Sequence, residues 1–129
     1  TGVQTCALPI SDYNTLASGG SNLSLTSKKL YELVRLRKTD ITTKNKLSNA
    51  TIVPADLLFA SASGLDPHIS PEAAKIQIQR ISEARGVSEG QKQKLNMLVD
   101  KVTESPQFGI LGCKRVNVFM LNLELDKLK

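Results

Sequence analysis

The chain is poor in the residue types that most often carry chemistry. Its 129 residues include no Trp, one His, two Cys and only 4% aromatic side chains. These shortages argue against aromatic stacking platforms and multi-histidine metal sites, and they leave Leu, Ile and Val to build the core. No apolar run is longer than the four residues of Val118 to Leu121, whereas a membrane-spanning helix needs roughly 20 apolar residues. We therefore expect no transmembrane segment and no signal peptide in the sequence as given.

What is present indicates one globular domain with a basic balance. Hydrophobic residues make up 40% of the chain and charged residues 22%, and the formal net charge is +5. The segment from Lys28 to Lys46 holds seven Lys and Arg residues against Glu32 and Asp40. Such a run can meet nucleic acid or an anionic membrane surface. Because the segment has no recognisable nucleic-acid reading motif, we interpret it as a solvated basic face and predict no nucleic-acid partner.

The first ten residues resemble translated sequencing-adapter DNA. The codons ACT GGA GTT CAG ACG TGT GCT CTT CCG ATC encode Thr1 to Ile10 at every position. We therefore expect residues 1–11 to be a non-native, unpacked segment and residues 12–129 to be a domain truncated on its N-terminal side. Without Cys6, Cys113 has no partner for a disulfide.

Periodicity and end signals predict a mixed α+β fold. Helices are expected near residues 27–38, 71–85 and 88–104, where apolar residues recur at helical spacing. A small sheet covered by these helices is expected from residues 56–61 and 115–119. Residues 39–51 are predicted to be a loop, and a bulge or a change to helix is predicted near Met120.

Three end signals are specific enough to test. Ser70 before Pro71 is expected to cap the second predicted helix, with Pro at its first position. Gly86 is expected to end that helix in the left-handed conformation. Ser88 and Gln91 have the spacing of a capping box at the start of the third.

Two groups of residues have the composition of a functional site, and each also has a purely structural interpretation. The Gly-rich stretch Ser18–Asn22 can in principle cradle a phosphate, but a structural turn is favoured because no P-loop motif is present. Asp66 lies two residues before His68, the single histidine. Since further metal ligands and a nucleophilic partner are not readable, we favour an Asx-type turn in which His68 binds local backbone. Cys113 precedes Lys114 and Arg115, which would favour a thiolate, but we expect a buried or half-buried structural thiol.

Several sequence blocks occur in a fixed order along the chain. Residues 13–23 carry YN followed by ASGGSN, and residues 53–71 carry VPADL followed by ASASGLDPHISP. The ARG, QFGILG, RVNV and LNL segments follow, and the blocks cover nearly all of Tyr13 to Leu125. The LDPHISP run is the most specific of them. In content and order these blocks resemble the KdpC family, the C subunits of bacterial potassium-transporting P-type ATPases.

The resemblance implies a non-catalytic accessory subunit. Members have one N-terminal transmembrane helix, which would lie upstream of this sequence, and an extracytoplasmic domain at the bacterial cytoplasmic membrane. The family is described as aiding assembly of the pump and raising the ATP affinity of its catalytic subunit. The implied partners are the ion-conducting A subunit and the ATP-hydrolysing B subunit, so that ATP and potassium are handled by the complex and no cofactor binds this chain directly.

Within that resemblance, we predict a set of loop-shaping or partner-facing residues, none of them catalytic: Gly64, Asp66, His68, Gln107, Gly112 and Arg115. The alternative is a small nucleotide-binding protein or enzyme that uses Ser18–Asn22 together with Asp66 and His68.

Overall fold

The computed structural model describes residues 23–24, 26–59, 66–106 and 112–127. The elements within them are α1 (Lys28–Lys44), a 3-10 helix (Ala55–Leu57), β1 (His68–Ile69), α2 (Pro71–Ile76), α3 (Ile78–Ala84), α4 (Glu89–Val102), β2 (Thr103–Glu104), β3 (Arg115–Asn117) and α5 (Val118–Lys127). The strands form an antiparallel sheet in the order β1-β3-β2. The predicted α+β class is confirmed.

The core lies between the central strand and the helices that contact it. Strand β3 contributes Val116, which is fully buried and pairs with Ile69 of β1 and Thr103 of β2. Helices α2, α4 and α5 all contact β3. Leu, Ile, Val and Ala side chains from these elements form one continuous cluster, together with Val53 and Leu57. The expectation of an aliphatic core is therefore confirmed for the described residues.

The three end signals are confirmed. The Ser70 hydroxyl accepts a hydrogen bond from the Ala73 N–H at 3.1 Å, and Pro71 is the first residue of α2. Gly86 has φ +64°, in the left-handed region that glycine adopts at low cost. The Ser88 N–H donates to the Gln91 side chain at 3.1 Å, which forms one half of the capping box at the start of α4.

The strand predicted at 56–61 is wrong over its described part. Residues 55–57 form a 3-10 helix, in which the Leu57 and Leu58 N–H groups donate to carbonyls three residues earlier. A short apolar run does not distinguish a strand from a helical turn by its periodicity. Residues 115–117 pair instead with β1, a segment predicted to be a turn-rich connection, and with β2.

Helix α1 is longer than predicted and reaches Lys44. Its extension is rich in Thr, but the Thr39 and Thr42 hydroxyls donate to the carbonyls four residues earlier. Lys44 and Asp40 also form an ion pair at 2.8 Å with helical spacing. These local contacts let the helix continue where composition predicts a loop.

The other boundaries shift by shorter distances. The helix predicted over 71–85 is interrupted at Gln77, whose ψ of −11° departs from the helical value. The helix predicted to residue 104 ends at Val102, and Thr103 begins β2. Strand β3 stops at Asn117, where the Asn117 side chain accepts hydrogen bonds from the Phe119 and Met120 N–H groups. The change to helix predicted near Met120 is therefore confirmed and starts at Val118.

Candidate functional site

A groove of about 710 Å³ lies at one end of the sheet. Its lining combines charged, hydroxyl and apolar groups: Ala55, Asp56, Asp66, His68, Ile69, Ser70, Ser105, Pro106, Gly112, Cys113, Lys114 and Arg115. Four segments that are distant in sequence meet here because β1 and β2 both pair with β3. Sheet pairing thus places the Asp66–His68 segment beside Arg115.

Asp66 and His68 form a local turn at the start of β1. One carboxylate oxygen of Asp66 accepts from the His68 backbone N–H at 3.0 Å and lies 2.8 Å from His68 Nδ1. The predicted Asx-type turn is confirmed, but the His68 ring contacts the Asp66 carboxylate and not the local backbone that was expected. Burial raises the pKa of Asp66, but the hydrogen bonds from His68 and the nearby positive charge of Arg115 outweigh it, so that the net pKa is lowered. Asp66 therefore remains a carboxylate over a wider pH range than an unperturbed Asp.

A second carboxylate links the 3-10 helix to the start of α2. Asp56 accepts from the Ser70 backbone N–H at 2.6 Å and from its hydroxyl at 3.2 Å. The same hydroxyl accepts from the Ala73 N–H, so Asp56 holds the residue that caps α2. Asp56 is not among the site residues predicted from the sequence, because no local pattern links it to Ser70, 14 residues away.

Another part of the groove lining is basic and more exposed. Arg115 Nε donates to a Glu104 carboxylate oxygen at 2.9 Å across the β2–β3 pair. Lys114 precedes it and is exposed. Gly112 has φ +97°, a backbone conformation that an L side chain rarely adopts. Gly112 thereby shapes the chain where it enters β3.

The groove gathers most of the predicted site residues. Asp66, His68, Gly112 and Arg115 all line it. Gly64, Gln107 and the Ser18–Asn22 loop lie outside the described residues. Cys113 is exposed in the groove wall, which contradicts the expected buried or half-buried thiol. The reason is its position in the connection before β3, where the strand alternation that buries Val116 has not begun.

The polar groups of the groove are largely bonded to one another. Asp66 bonds His68, Asp56 bonds Ser70, and Glu104 bonds Arg115. Among the residues that the structure describes, no group of three His, Cys, Asp or Glu side chains has the arrangement to hold a metal ion. Within the same residues, no hydrogen bond joins His68 to Ser70, Ser105 or Cys113. The arrangement offers a fixed, mixed-charge surface of the kind that loops present to a partner.

Comparison with known proteins decides the family. A family model described as "KdpC: K+-transporting ATPase, c chain" matches residues 5–127. The chain belongs to the KdpC family. The match spans the groove and every helix and strand described above.

Individual relatives agree with the KdpC match. A potassium-transporting ATPase KdpC subunit of Geotalea uraniireducens is 49% identical over 116 residues, which cover 90% of this chain and 58% of that protein. KdpC subunits of Geobacter sulfurreducens and Shewanella putrefaciens are 47% and 45% identical, over 95% and 91% of this chain and 61% and 57% of their own lengths. The chain thus spans rather more than half the length of these relatives. Within the described residues, each helix is too short or too polar to cross a membrane.

Proposed function

We propose that this chain is the C subunit of an ATP-driven potassium pump, an accessory subunit without catalysis of its own. The observation that carries the proposal is the KdpC match over residues 5–127, with relatives that are named as subunits of the potassium-transporting ATPase. In such a complex, ATP hydrolysis belongs to another subunit. The alternative of an independent nucleotide-binding protein or enzyme is not favoured, because the relatives carry the name of a pump subunit.

In this proposal the groove is the docking surface for the ion-conducting A subunit. Its charges are held by the Asp66–His68, Asp56–Ser70 and Glu104–Arg115 contacts, so little side-chain entropy is lost when a partner binds. Lys114 and Cys113 are exposed at its rim and free to contact a partner. Docking assists assembly of the pump and, through the B subunit, raises its apparent affinity for ATP.

The location follows from the same proposal. The part of the protein upstream of residue 12 carries one transmembrane helix, and residues 12–129 form the domain outside the bacterial cytoplasmic membrane. We propose that residues 1–11 are not native to the protein, since Thr1 to Ile10 resemble translated sequencing-adapter DNA. A domain in that place meets the A subunit near the potassium entrance and does not reach cytosolic ATP, so its effect on ATP affinity is transmitted by the complex.

Co-purification with the pump tests this function. In the Geotalea uraniireducens KdpC subunit, the 116 matching residues are replaced by those of this chain. The relative, which is 49% identical over the match, supplies the remaining length. The chimera is expressed with the A and B subunits of that organism in cells that lack their own C subunit. We expect the chimera to co-purify with both subunits and to restore growth on limiting potassium.

A charge reversal in the groove then tests the docking surface. Lys114→Glu is compared with Lys94→Glu on α4, since both side chains are exposed and both changes alter the net charge equally. We expect Lys114→Glu to lower recovery of the complex and Lys94→Glu to leave it unchanged. A chimera that never joins the pump would contradict the function itself, whereas equal behaviour of the two variants would contradict only the groove.

A further inference from the structure

The net positive charge of the chain is concentrated in one helix and the turn after it. Residues 28–46, which comprise α1, Asn45 and Lys46, carry seven Lys and Arg residues and two acidic ones, a balance of +5. This equals the formal charge of the whole chain, because the ten basic and ten acidic residues elsewhere cancel. The lining of the groove includes no residue of this segment.

The spacing of α1 places several of these cations on one exposed face. Lys28, Arg35 and Lys38 follow a spacing of seven and then three residues, so they share a stripe along the helix, and Tyr31 lies between them. All four are exposed, Tyr31 with 72% of its surface accessible. The opposite side of the helix buries Leu30 and directs Arg37 to the Leu58 carbonyl at 2.8 Å.

The cations of this stripe lack the ion pairs that several other basic residues form. Among the described residues, Lys28, Arg35 and Lys38 form no ion pair, and Glu32 is the one unpaired acidic residue near them on α1. By contrast, ion pairs join Lys75 to Asp100, Arg85 to Asp126 and Lys127 to Glu124. An exposed row of cations around an aromatic ring favours an anionic surface on which the ring can also be accommodated.

We propose that this stripe of α1 lies against the anionic phospholipid surface of the membrane. Lys28, Arg35 and Lys38 contact lipid phosphates, while Tyr31 enters the headgroup region. A lipid surface is favoured over a nucleic acid because Tyr31 lies among the cations, and tyrosine rings are enriched at the depth of lipid headgroups. The choice of a membrane also rests on the proposed function, since a subunit of an ion pump is held beside a bilayer.

Vesicle binding by the 129-residue chain tests the proposal directly. The chain is sedimented with phosphatidylcholine vesicles that contain either no anionic lipid or about 30% phosphatidylglycerol, at salt from about 0.05 M to about 0.5 M. We expect binding to the anionic vesicles alone, falling about tenfold or more across that salt range. No other pump subunit is present in this assay. A negative result would therefore contradict the membrane contact alone and would not bear on the co-purification test of function.

Two matched double variants assign the binding to the stripe. Arg35→Glu with Lys38→Glu changes the net charge by the same amount as Lys94→Glu with Lys101→Glu on α4, and all four side chains are exposed on helices. We expect the α1 variant to lose about tenfold or more in partition coefficient and the α4 variant to lose little. Tyr31→Ala is expected to weaken binding by about threefold while keeping the salt dependence. Circular dichroism verifies that each variant retains its helices.

Three results would overturn the proposal. These are equal binding to neutral and anionic vesicles, equal losses in the two double variants, and tighter binding to duplex DNA than to anionic vesicles at matched phosphate concentration. The last would assign the stripe to nucleic acid in place of lipid.

Discussion

The groove and the α1 stripe are both charged surfaces, but their charges are organised differently. In the groove, carboxylates bond to neighbouring donors at 2.6 to 3.0 Å, as Asp56 does with the Ser70 N–H and Asp66 with that of His68. On α1, Arg35 and Lys38 form no ion pair among the described residues, and their side chains extend into solvent. Bonded charges stabilise the domain and fix the shape of a surface, whereas unpaired charges attract an oppositely charged one. We therefore expect substitutions in the groove to change mainly the stability of the fold. Substitutions on the α1 stripe should change mainly its attraction to an oppositely charged surface.

The largest expected effect on stability is at Asp56. Asp56→Ala removes the acceptor of the Ser70 N–H and leaves that partly buried donor without a protein partner. We expect the free energy of unfolding to fall by about 2 kcal/mol. Urea denaturation monitored by circular dichroism measures it. Lys38→Ala on α1 is the matched comparison and should change stability by less than about 0.5 kcal/mol; similar losses in the two variants would remove the distinction between the regions.

Gly112 is expected to have the next largest effect. A Cβ at this position would meet nothing within 4 Å, so the cost of Gly112→Ala comes from the φ of +97° alone. We expect a loss of about 1 kcal/mol in unfolding free energy. Gly90→Ala in α4, where φ is not positive and space is also open, should instead stabilise the chain by about 0.5 kcal/mol. An equal effect of the two substitutions in thermal unfolding would show that backbone strain does not shape the groove.

The charge of Asp66 is expected to contribute less, and only above a certain pH. Because the folded-state pKa of Asp66 lies below its ordinary value of 3.8, the carboxylate stabilises the fold above pH 3.8 and loses this effect as the pH falls through the lowered pKa. Asp66→Asn should therefore cost about 0.5 kcal/mol at neutral pH, since the side chain is half exposed. Unfolding curves of the two proteins should converge in acid. A difference that persists unchanged at pH 2 to 3 would assign the cost to the turn geometry rather than to the charge.

Arg115 is expected to have the smallest effect on stability and a clear effect on assembly. Its ion pair with Glu104 is about half exposed on both sides, so Arg115→Ala should cost no more than about 0.5 kcal/mol. We expect this variant to reduce recovery of the pump complex and to leave vesicle binding intact. Arg35→Glu with Lys38→Glu should instead weaken vesicle binding and leave recovery of the pump complex intact. If one variant impaired both assays equally, the groove and the stripe would not be separate surfaces.

The parts of the fold that were predictable are those fixed by neighbours in sequence. The Ser70 cap, the Gly86 turn, the capping box at Ser88 and the Asp66–His68 turn all involve residues no more than three positions apart. The prediction of a strand at 56–61 was wrong because a short apolar run does not specify the segment with which it would pair. The same limit applies to the site. Asp66 and Arg115 could be predicted individually from the sequence, whereas Asp56 was identified only by its bonds to Ser70, 14 residues away.

The sequence by itself determined the aliphatic nature of the core, the three helix-end signals at Ser70, Gly86 and Ser88, the concentration of positive charge in residues 28–46 and the KdpC resemblance. These are properties of composition, of local hydrogen bonding or of residue order, and none depends on which distant segments pack together. Only the tertiary structure decided which segments pair with β3, which side of α1 is left exposed and which residues share the groove. The physical reason is that strand pairing and helix packing join residues far apart in the chain, and several pairings satisfy the same local pattern of apolar residues.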